Sequence, residues 1–416
     1  MHMSKGTRIE HARLIDGTGA AAVADAVVCI DERGTVEYAG SADAAPEAGP
    51  ETRIIDVAGR TVLPGFIDTH VHLGFRHGMP PGQRGLEDPT LLVLDTAARI
   101  RQTLDAGVTT ARDLAGLPAG YRTAVESGRI VGPRLQTAVR ALSHTGGHGD
   151  VSLPDGIDLS GGMTEIADTV DEVRLAVRRV LRSGADLIKV CATGGMGSPY
   201  DDPDDEGLTV EEMKAVVDEV GRRGGKAVAA HAQGRAGILN AIRAGVTSIE
   251  HGYGLDEQAG DLAGEHGIHV VPTLSTVYAG IDKDRMPDYH YQKKVRWSGV
   301  TKENISRAIE RGVPIALGTD AAVCPHGQNL MELSYLVDLG MDPMAAIVAG
   351  TRTAAGLLGL GDRLGTLEPG KLADVVVCDG DPLRDIAVLG DPANVVCVLQ
   401  EGVLRKSLLE GVSCDD

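Results

Sequence analysis

Aromatic residues are scarce in this chain of 416 residues, at 3% of the composition, with one Trp and two Phe. A hydrophobic core must therefore be built mainly from close-packed Ala, Val, Leu and Ile. Basic residues are also few, since 40 Lys and Arg face 59 Asp and Glu, which gives a net charge of −19. This negative net charge disfavours binding to nucleic acid or to an anionic membrane surface. We expect neither to be a partner.

Long apolar runs are absent too. No stretch approaches the roughly 18 apolar residues of a membrane-spanning helix, and the first residues lack the apolar region of a secretory signal. The six cysteines are scattered without a CxxC pair, which is typical of reduced thiols rather than of a disulfide framework. These features predict a cytoplasmic protein.

The chain divides into β-rich ends and an alternating middle. Residues 3–62 and 369–416 contain short strand-like runs and are expected to form one small β domain from both termini. Residues 63–368 alternate short apolar runs with amphipathic stretches, as parallel βα units do. Eight candidate strands predict a (β/α)8 barrel: 66–73, 108–114, 135–142, 186–193, 227–233, 248–252, 269–274 and 315–321. A doubly wound sheet is the competing fold, but no glycine-rich dinucleotide fingerprint follows the first strand.

The segment PGFIDTHVH, residues 64–72, places two imidazoles on one face of a strand, because side chains two residues apart share a face. His70 and His72 are therefore candidate metal ligands. Taken alone, the pair is equally compatible with a structural or surface role.

Lys189 lies within a strand expected to be buried on both faces. Burial lowers the pKa of an amine, and the neutral amine can take up CO2 to form a carbamate, an anionic oxygen ligand able to bridge two cations. The alternative is a lysine that reaches solvent or pairs with an acid such as Asp186. His231, His251 and Asp320 each close an apolar strand, at the rim where barrel enzymes place catalytic groups.

The order His-x-His, Lys, His, His, Asp resembles the amidohydrolase superfamily of binuclear metal hydrolases over nearly the whole chain. The motifs HTGGHG (144–149), KVCATGG (189–195) and HGY (251–253) resemble its imidazolonepropionase-like and prolidase-like branch, which includes dipeptidases and carboxypeptidases. The resemblance implies that His70, His72 and Asp320 hold one divalent ion and His231 and His251 a second, with carboxylated Lys189 bridging them. Zinc is the expected metal, with manganese, iron or cobalt as alternatives.

The implied reaction is amide hydrolysis. A metal-bridging hydroxide would attack the carbonyl, with Asp320 acting as general base and then as general acid. His148 and Tyr253, in glycine-flanked segments beyond strand ends, are candidate contacts for the oxyanion or substrate carbonyl. Arg140, Arg235 and His326 are candidate substrate-binding residues. His77, His266, His269 and His290 are expected to be structural or exposed.

The expected substrate is a dipeptide or an N-acyl amino acid. The alternatives are a cyclic amide such as an imidazolone or lactam, a xenobiotic amide or ester, or a metal-free scaffold protein. The acidic run at residues 201–206 is a solvated loop or a means of attracting a cationic substrate. Homo-oligomerisation is expected from similar proteins.

Overall fold

A computed structural model describes residues 6–79, 87–152, 158, 160, 162–284 and 286–414, so the first and last few residues of the predicted β domain lie outside the described residues. Its strands are β1 (Thr7–Leu14), β2 (Val23–Ile30), β3 (Val36–Ser41), β4 (Arg53–Asp56), β5 (Thr61–Pro64), β6 (Phe66–Val71), β7 (Val108–Asp113), β8 (Arg134–Thr137), β9 (Ala141–Ser143), β10 (Thr164–Ile166), β11 (Ile188–Cys191), β12 (Val228–Ala232), β13 (Ser248–His251), β14 (His269–Val271), β15 (Val375–Cys378), β16 (Val395–Gln400) and β17 (Val403–Ser407). Its helices are α1 (Pro89–Asp105), α2 (Ala119–Glu126), α3 (Val170–Arg182), α4 (Val210–Gly221), α5 (Arg235–Ala244), α6 (Glu257–Glu265), α7 (Leu274–Tyr278), α8 (Asp288–Glu310), α9 (Met331–Asp338), α10 (Pro343–Val348) and α11 (Ala354–Leu357).

The two ends of the chain form one sheet of eight strands. Its order is β17-β16-β15-β5-β1-β2-β3, and β4 pairs with β1 in parallel. Alternate residues of these strands, such as Ile9, Val28 and Val377, pack into a shared apolar core. The strand β5 joins both halves, because it pairs with β1 from the first half and with β15 from the second. This arrangement confirms the small β unit built from both termini.

The middle of the chain forms the predicted barrel of parallel strands, but the third predicted strand is interrupted. It appears as β8, which pairs with β7, and β9, which pairs with β11. Between them Val139 has a φ of 60°, a left-handed conformation that a β-branched residue rarely adopts. The backbone turn at this residue divides one strand into two.

The segment 315–321 closes the barrel without forming a regular strand. Ile315 bridges to Val270 of β14, and Ala321 bridges to Val71 of β6. Thr69 N also donates to Leu317 O at 3.0 Å. The eighth predicted position is thus occupied, and the carboxyl ends of the barrel strands meet at one rim.

The helices follow the amphipathic stretches. Thr209 caps α4 with a reciprocal capping box involving Glu212. Residues 301–311 have an amphipathic helical pattern in the sequence, but this pattern covers only the second half of α8, which begins at Asp288. Across the described part of the chain, no helix is both long and apolar enough to cross a membrane.

Candidate active site

His70, His72 and Asp320 meet at the rim of the barrel. The Nε2 atoms of His70 and His72 lie 3.4 and 3.1 Å from the same Asp320 oxygen, Oδ1. The shared face of β6 aims both imidazoles in one direction, and the 315–321 segment brings the carboxylate against them. Burial raises the pKa of Asp320, but the contacts with His70 and His72 outweigh it and hold the pKa well below its usual range. Asp320 is therefore a carboxylate.

His231 and His251 stand beside this group, with ring centroids 4.5 Å apart. The centroid of His251 also lies 5.1 Å from that of His70. His251 has a φ of 73° and Asp320 a φ of 58°, so both break the alternation of their segments. Such left-handed backbone costs about 1–3 kcal/mol and is retained where the surrounding structure fixes it. Adjacent strand residues normally face opposite sides, but this left-handed conformation directs His251 of β13 toward the same centre as Glu250.

Three of the four imidazoles, those of His70, His231 and His251, are neutral and oriented. Burial, above all, lowers the pKa of His70 and His231 well below the usual value and that of His251 to about 3. One nitrogen of each ring is engaged: His70 Nδ1 donates to Glu250 Oε2 at 2.9 Å, and His231 Nε2 donates to Gly194 O at 3.0 Å. His251 Nδ1 lies 2.7 Å from Thr273 Oγ1. The remaining nitrogens keep lone pairs, as metal coordination requires.

Lys189 lies in the same buried centre. It is 4% exposed, and its Nζ has no hydrogen-bond partner among the described residues. Its neighbours across β9 and β12 are Ala141 and Ala229, whose side chains supply no polar atom. Burial is the main cause of its lowered pKa. Asp186, the alternative partner, pairs instead with Arg122.

This donor set fits a divalent cation. Ligand atoms of His70, His251 and Asp320 all lie within 4.8 Å of one another, and all three residues are buried. Imidazole nitrogen and carboxylate oxygen are typical zinc ligands. An unpartnered buried amine beside them is costly as an ammonium, yet it can react as a free base.

Several buried residues that support the site were not singled out from the sequence. Arg112 Nη2 donates to Glu250 Oε1 at 2.9 Å, while Glu250 Oε2 accepts from His70, so one carboxylate joins the barrel interior to a candidate ligand. Asp68 accepts from Thr319 Oγ1 and Asn329 Nδ2, each at 2.7 Å, and ties β6 to the segment bearing Asp320. Burial raises the pKa of Asp68 to about 6. Asp68 lies two residues before His70 in β6, so strand alternation indicates that it faces the barrel interior as His70 does. Ser248 and Glu250 are also two residues apart, in β13, and share a face for the same reason.

A cavity of about 300 Å3 opens above these residues. Its lining includes His148, whose ring stacks on His231 with centroids 4.1 Å apart. Its other walls are largely apolar and include Phe75, Met79, Leu114, Met163, Met196 and Val323. His290, at the start of α8, also lines the cavity, a position that the expectation of a structural or exposed role did not include.

The remaining candidates lie around the cavity rather than in its lining. Tyr253 is fully buried behind His251, and its hydroxyl bonds Thr276 and lies 3.2 Å from Thr273 Oγ1. His326 Nε2 donates to Phe75 O at 2.8 Å, and burial lowers the pKa of this imidazole to about 4.

Arg140 and Arg235 are both engaged elsewhere. Arg140 forms an ion pair with Glu165 at 3.0 Å, and Arg235 pairs with Asp256. Neither belongs to the cavity lining found among the described residues. Their guanidinium groups are thus already neutralised outside the cavity, and the structure adds no support for a substrate-carboxylate role.

The acidic run at 201–206 is likewise committed to local contacts. Asp201 Oδ2 lies 2.9 Å from His148 Nδ1, and Arg296 of α8 pairs with Asp202 and Asp204. Asp205 accepts from the Asp202 N–H, and Glu206 accepts from Asn240. None of these acidic residues belongs to the described lining of the cavity, which argues against selection of cationic substrates by their carboxylates.

Comparison with known proteins places these observations in one family. The sequence profile of the amidohydrolase family matches residues 61–405. Ochratoxinase from Aspergillus niger is 35% identical over 373 residues, which cover 83% of this chain and 75% of that protein.

Solved structures agree over almost the full length. A crystal structure of an amidohydrolase is 33% identical with a TM-score of 0.90, covering 97% of this chain and 100% of that one. A Xaa-Pro dipeptidase with methionine bound in its active site is also 33% identical, with a TM-score of 0.87, covering 96% and 99% of the two chains.

Proposed function

This chain belongs to the amidohydrolase family and is an amide-bond hydrolase, and from that starting point we propose that it cleaves a dipeptide or an N-acyl amino acid. The observation that carries the proposal is the buried Lys189 amine, which has no hydrogen-bond partner among the described residues and lies among four imidazoles and the Asp320 carboxylate. Its support from similarity is the relationship to a Xaa-Pro dipeptidase over nearly the full chain.

We propose that this centre holds two divalent ions, with zinc expected and manganese, iron or cobalt as alternatives. His70, His72 and Asp320 would hold one ion, and His231 and His251 the other. The neutral Lys189 amine would add to CO2 with loss of one proton, and the resulting carbamate would bridge both. When bound, such ions supply Lewis acidity and lower the pKa of water.

The chain's own residues have separate roles in this proposal. Asp320 takes a proton from the attacking water and returns it to the leaving nitrogen. Its Oδ1 faces His70 and His72, which leaves Oδ2 for this transfer. His148 lines the cavity and contacts the substrate amide. Tyr253 contacts His251 from behind and acts by fixing that ring, because it is not among the described residues that line the cavity.

The cavity favours a neutral or apolar substrate side chain. Phe75, Met79, Met163 and Met196 supply apolar surface, and Asp320 is the one carboxylate among the described lining residues. This lining also supports a second candidate, a xenobiotic amide or ester, in keeping with the similarity to ochratoxinase. We place cyclic amides such as imidazolones and lactams after these two.

A substrate panel on protein of measured metal content tests the proposal. N-acyl amino acids and dipeptides ending in Met, Phe, Leu or Pro should be cleaved with kcat/KM at least about tenfold above their Lys and Arg counterparts, a discrimination of about 1.4 kcal/mol. Asp320→Asn is the control and should fold but lose activity by several orders of magnitude. Cleavage of lactams alone, or a preference for cationic side chains, would contradict the proposed substrate class.

The domain division at 62/63 and 368/369, a homo-oligomeric state and a cytoplasmic location stay proposals drawn from the sequence. The strand β5, which ends at Pro64, continues the terminal sheet two residues past the first boundary.

A further inference from the structure

We propose that Asp201 is a positioning residue for amide hydrolysis and acts by fixing the His148 ring at the cavity wall. This inference rests on the proposed function, and it assigns a role to Asp201, the first residue of the acidic run at 201–206. The juxtaposition that carries it is a buried carboxylate, a cavity-lining imidazole and a loop anchored from α8.

The His148 ring is restrained on one face and at one nitrogen. One face stacks on His231 with an interplanar angle of 17°. Nδ1 lies 2.9 Å from Asp201 Oδ2, on the buried side, where the Asp201 side chain is 6% exposed. The His148 side chain itself is 26% exposed and lines the cavity. With Nδ1 donating to Asp201, Nε2 keeps its lone pair and is the atom left to accept a hydrogen bond from a substrate N–H.

The carboxylate of Asp201 is itself held in place. Gly195 N donates to the same oxygen, Oδ2, at 3.2 Å. Burial raises the pKa of Asp201, but the hydrogen bonds with His148 and Ser198 and the nearby Lys293 ammonium outweigh that effect, so the pKa is lowered. Asp201 therefore presents an ionised acceptor to Nδ1, which selects the tautomer with the hydrogen on Nδ1.

Lys293 anchors this loop from outside the barrel. Its Nζ donates to the carbonyls of Ser198 at 2.7 Å, Gly195 at 3.2 Å and Asp201. Because Lys293 belongs to α8, the loop is fixed by an element that carries none of the candidate metal ligands. One ammonium thus satisfies three carbonyls, and the carboxylate cannot easily follow a displaced ring.

Gly195 explains why the loop can approach the ring so closely. A Cβ at this position would lie 2.2 Å from His148 Cε1, far inside van der Waals contact. Any larger residue would push the imidazole off His231 or away from Asp201. Glycine at position 195 therefore allows the loop to pack against the His148 ring.

The neighbouring acids do not share this role. Asp202 and Asp204 both pair with Arg296, so neither carboxylate is available to His148. Asp202 is thus a suitable control position, since it has the same charge and lies in the same loop but lacks the imidazole contact.

Steady-state kinetics of Asp201→Asn and Asp202→Asn test the proposal with the best substrate from the panel. Supporting residues of this kind change activity by about 10–100-fold when replaced. We expect kcat of Asp201→Asn to fall by that factor, with KM and metal content nearly unchanged, and Asp202→Asn to behave like the wild type. Equal effects in both variants, or a loss confined to metal binding or folding, would overturn the proposal.

A second measurement does not depend on activity. Long-range nitrogen–proton NMR on histidine-labelled protein reports the tautomer of each ring, and His148→Gln identifies the relevant signal. At alkaline pH the wild-type His148 should carry its hydrogen on Nδ1, and Asp201→Asn should lose that preference. The Nε2–H tautomer in the wild type, or no change in the variant, would overturn the link between the two residues. Failure to cleave any amide would instead refute the proposed function, while the NMR result would still decide the link.

Discussion

Replacing Glu250 by Leu removes the carboxylate that forms an ion pair with Arg112 inside the barrel. Both side chains are at most 1% exposed, and the N–O distance is 2.9 Å. Breaking such a buried pair by deleting one partner costs about 3–5 kcal/mol, because the remaining charge stays buried without compensation. Arg112 Nε still donates to Thr69 O, so we expect a value near the lower limit.

The double variant Arg112→Met/Glu250→Leu removes both charges. Replacing a buried ion pair by apolar groups of similar volume is often close to neutral for stability. We therefore expect the free energy of unfolding to return to within about 1–2 kcal/mol of the wild type. Urea unfolding of the metal-free protein, prepared with a chelator, measures this quantity without a contribution from bound ions.

Metal affinity should respond to these substitutions differently from stability. Glu250 Oε2 accepts from His70 Nδ1, so both variants lose the group that orients this imidazole. Losing such a contact weakens metal binding by about 10–100-fold, as competition with an indicator dye would show. Stability should thus recover in the double variant while affinity does not.

Glu303→Leu provides the matched control. Glu303 pairs with Arg307 on the exposed face of α8, and its removal should cost less than about 1 kcal/mol. The reasoning is refuted if the single Glu250 variant is as stable as this control, or if the double variant recovers its metal affinity together with its stability.

Two further predictions concern residues outside the candidate metal centre. Burial lowers the pKa of Lys294 from its ordinary value of 10.5 to about 8. Below pH 8 the charged lysine therefore destabilises the folded protein, and this cost is lost as the pH rises from 8 to 10.5. Lys294→Met should therefore raise the free energy of unfolding by about 1–3 kcal/mol at neutral pH, less above pH 8, and a parallel gain at all pH values would contradict this. Arg140→Ala and Arg235→Ala should change kcat/KM by less than about threefold, because both guanidinium groups are paired outside the cavity; a large rise in KM in either variant would restore its role in substrate binding.

Residue spacing was sufficient to place most of the candidate centre. The alternation of β6 predicts that His70 and His72 share a face, and strand ends predict that His231, His251 and Asp320 lie at the same rim. These inferences depend only on strand geometry, which the barrel preserves. The unusual burial of Lys189 could likewise be read from its apolar surroundings.

Contacts that depend on local backbone turns or on long-range packing could not be predicted. Val139, His251 and Asp320 adopt left-handed conformations without being glycine, so the sequence does not indicate them. The split of the third strand and the side-chain directions of His251 and Asp320 could therefore not be predicted. His290 reaches the cavity only because α8 begins earlier than its apolar pattern indicates. The Arg112–Glu250 pair likewise joins two strands that are far apart in sequence.

Metal stoichiometry of the wild type and of Lys189→Met, measured by elemental analysis after gel filtration, tests the central claim most directly. Because Met fills the buried space but cannot form a carbamate, the account predicts about two divalent ions per wild-type chain and at most one in the variant. A wild-type chain without bound ions, or a variant that retains both, would contradict it.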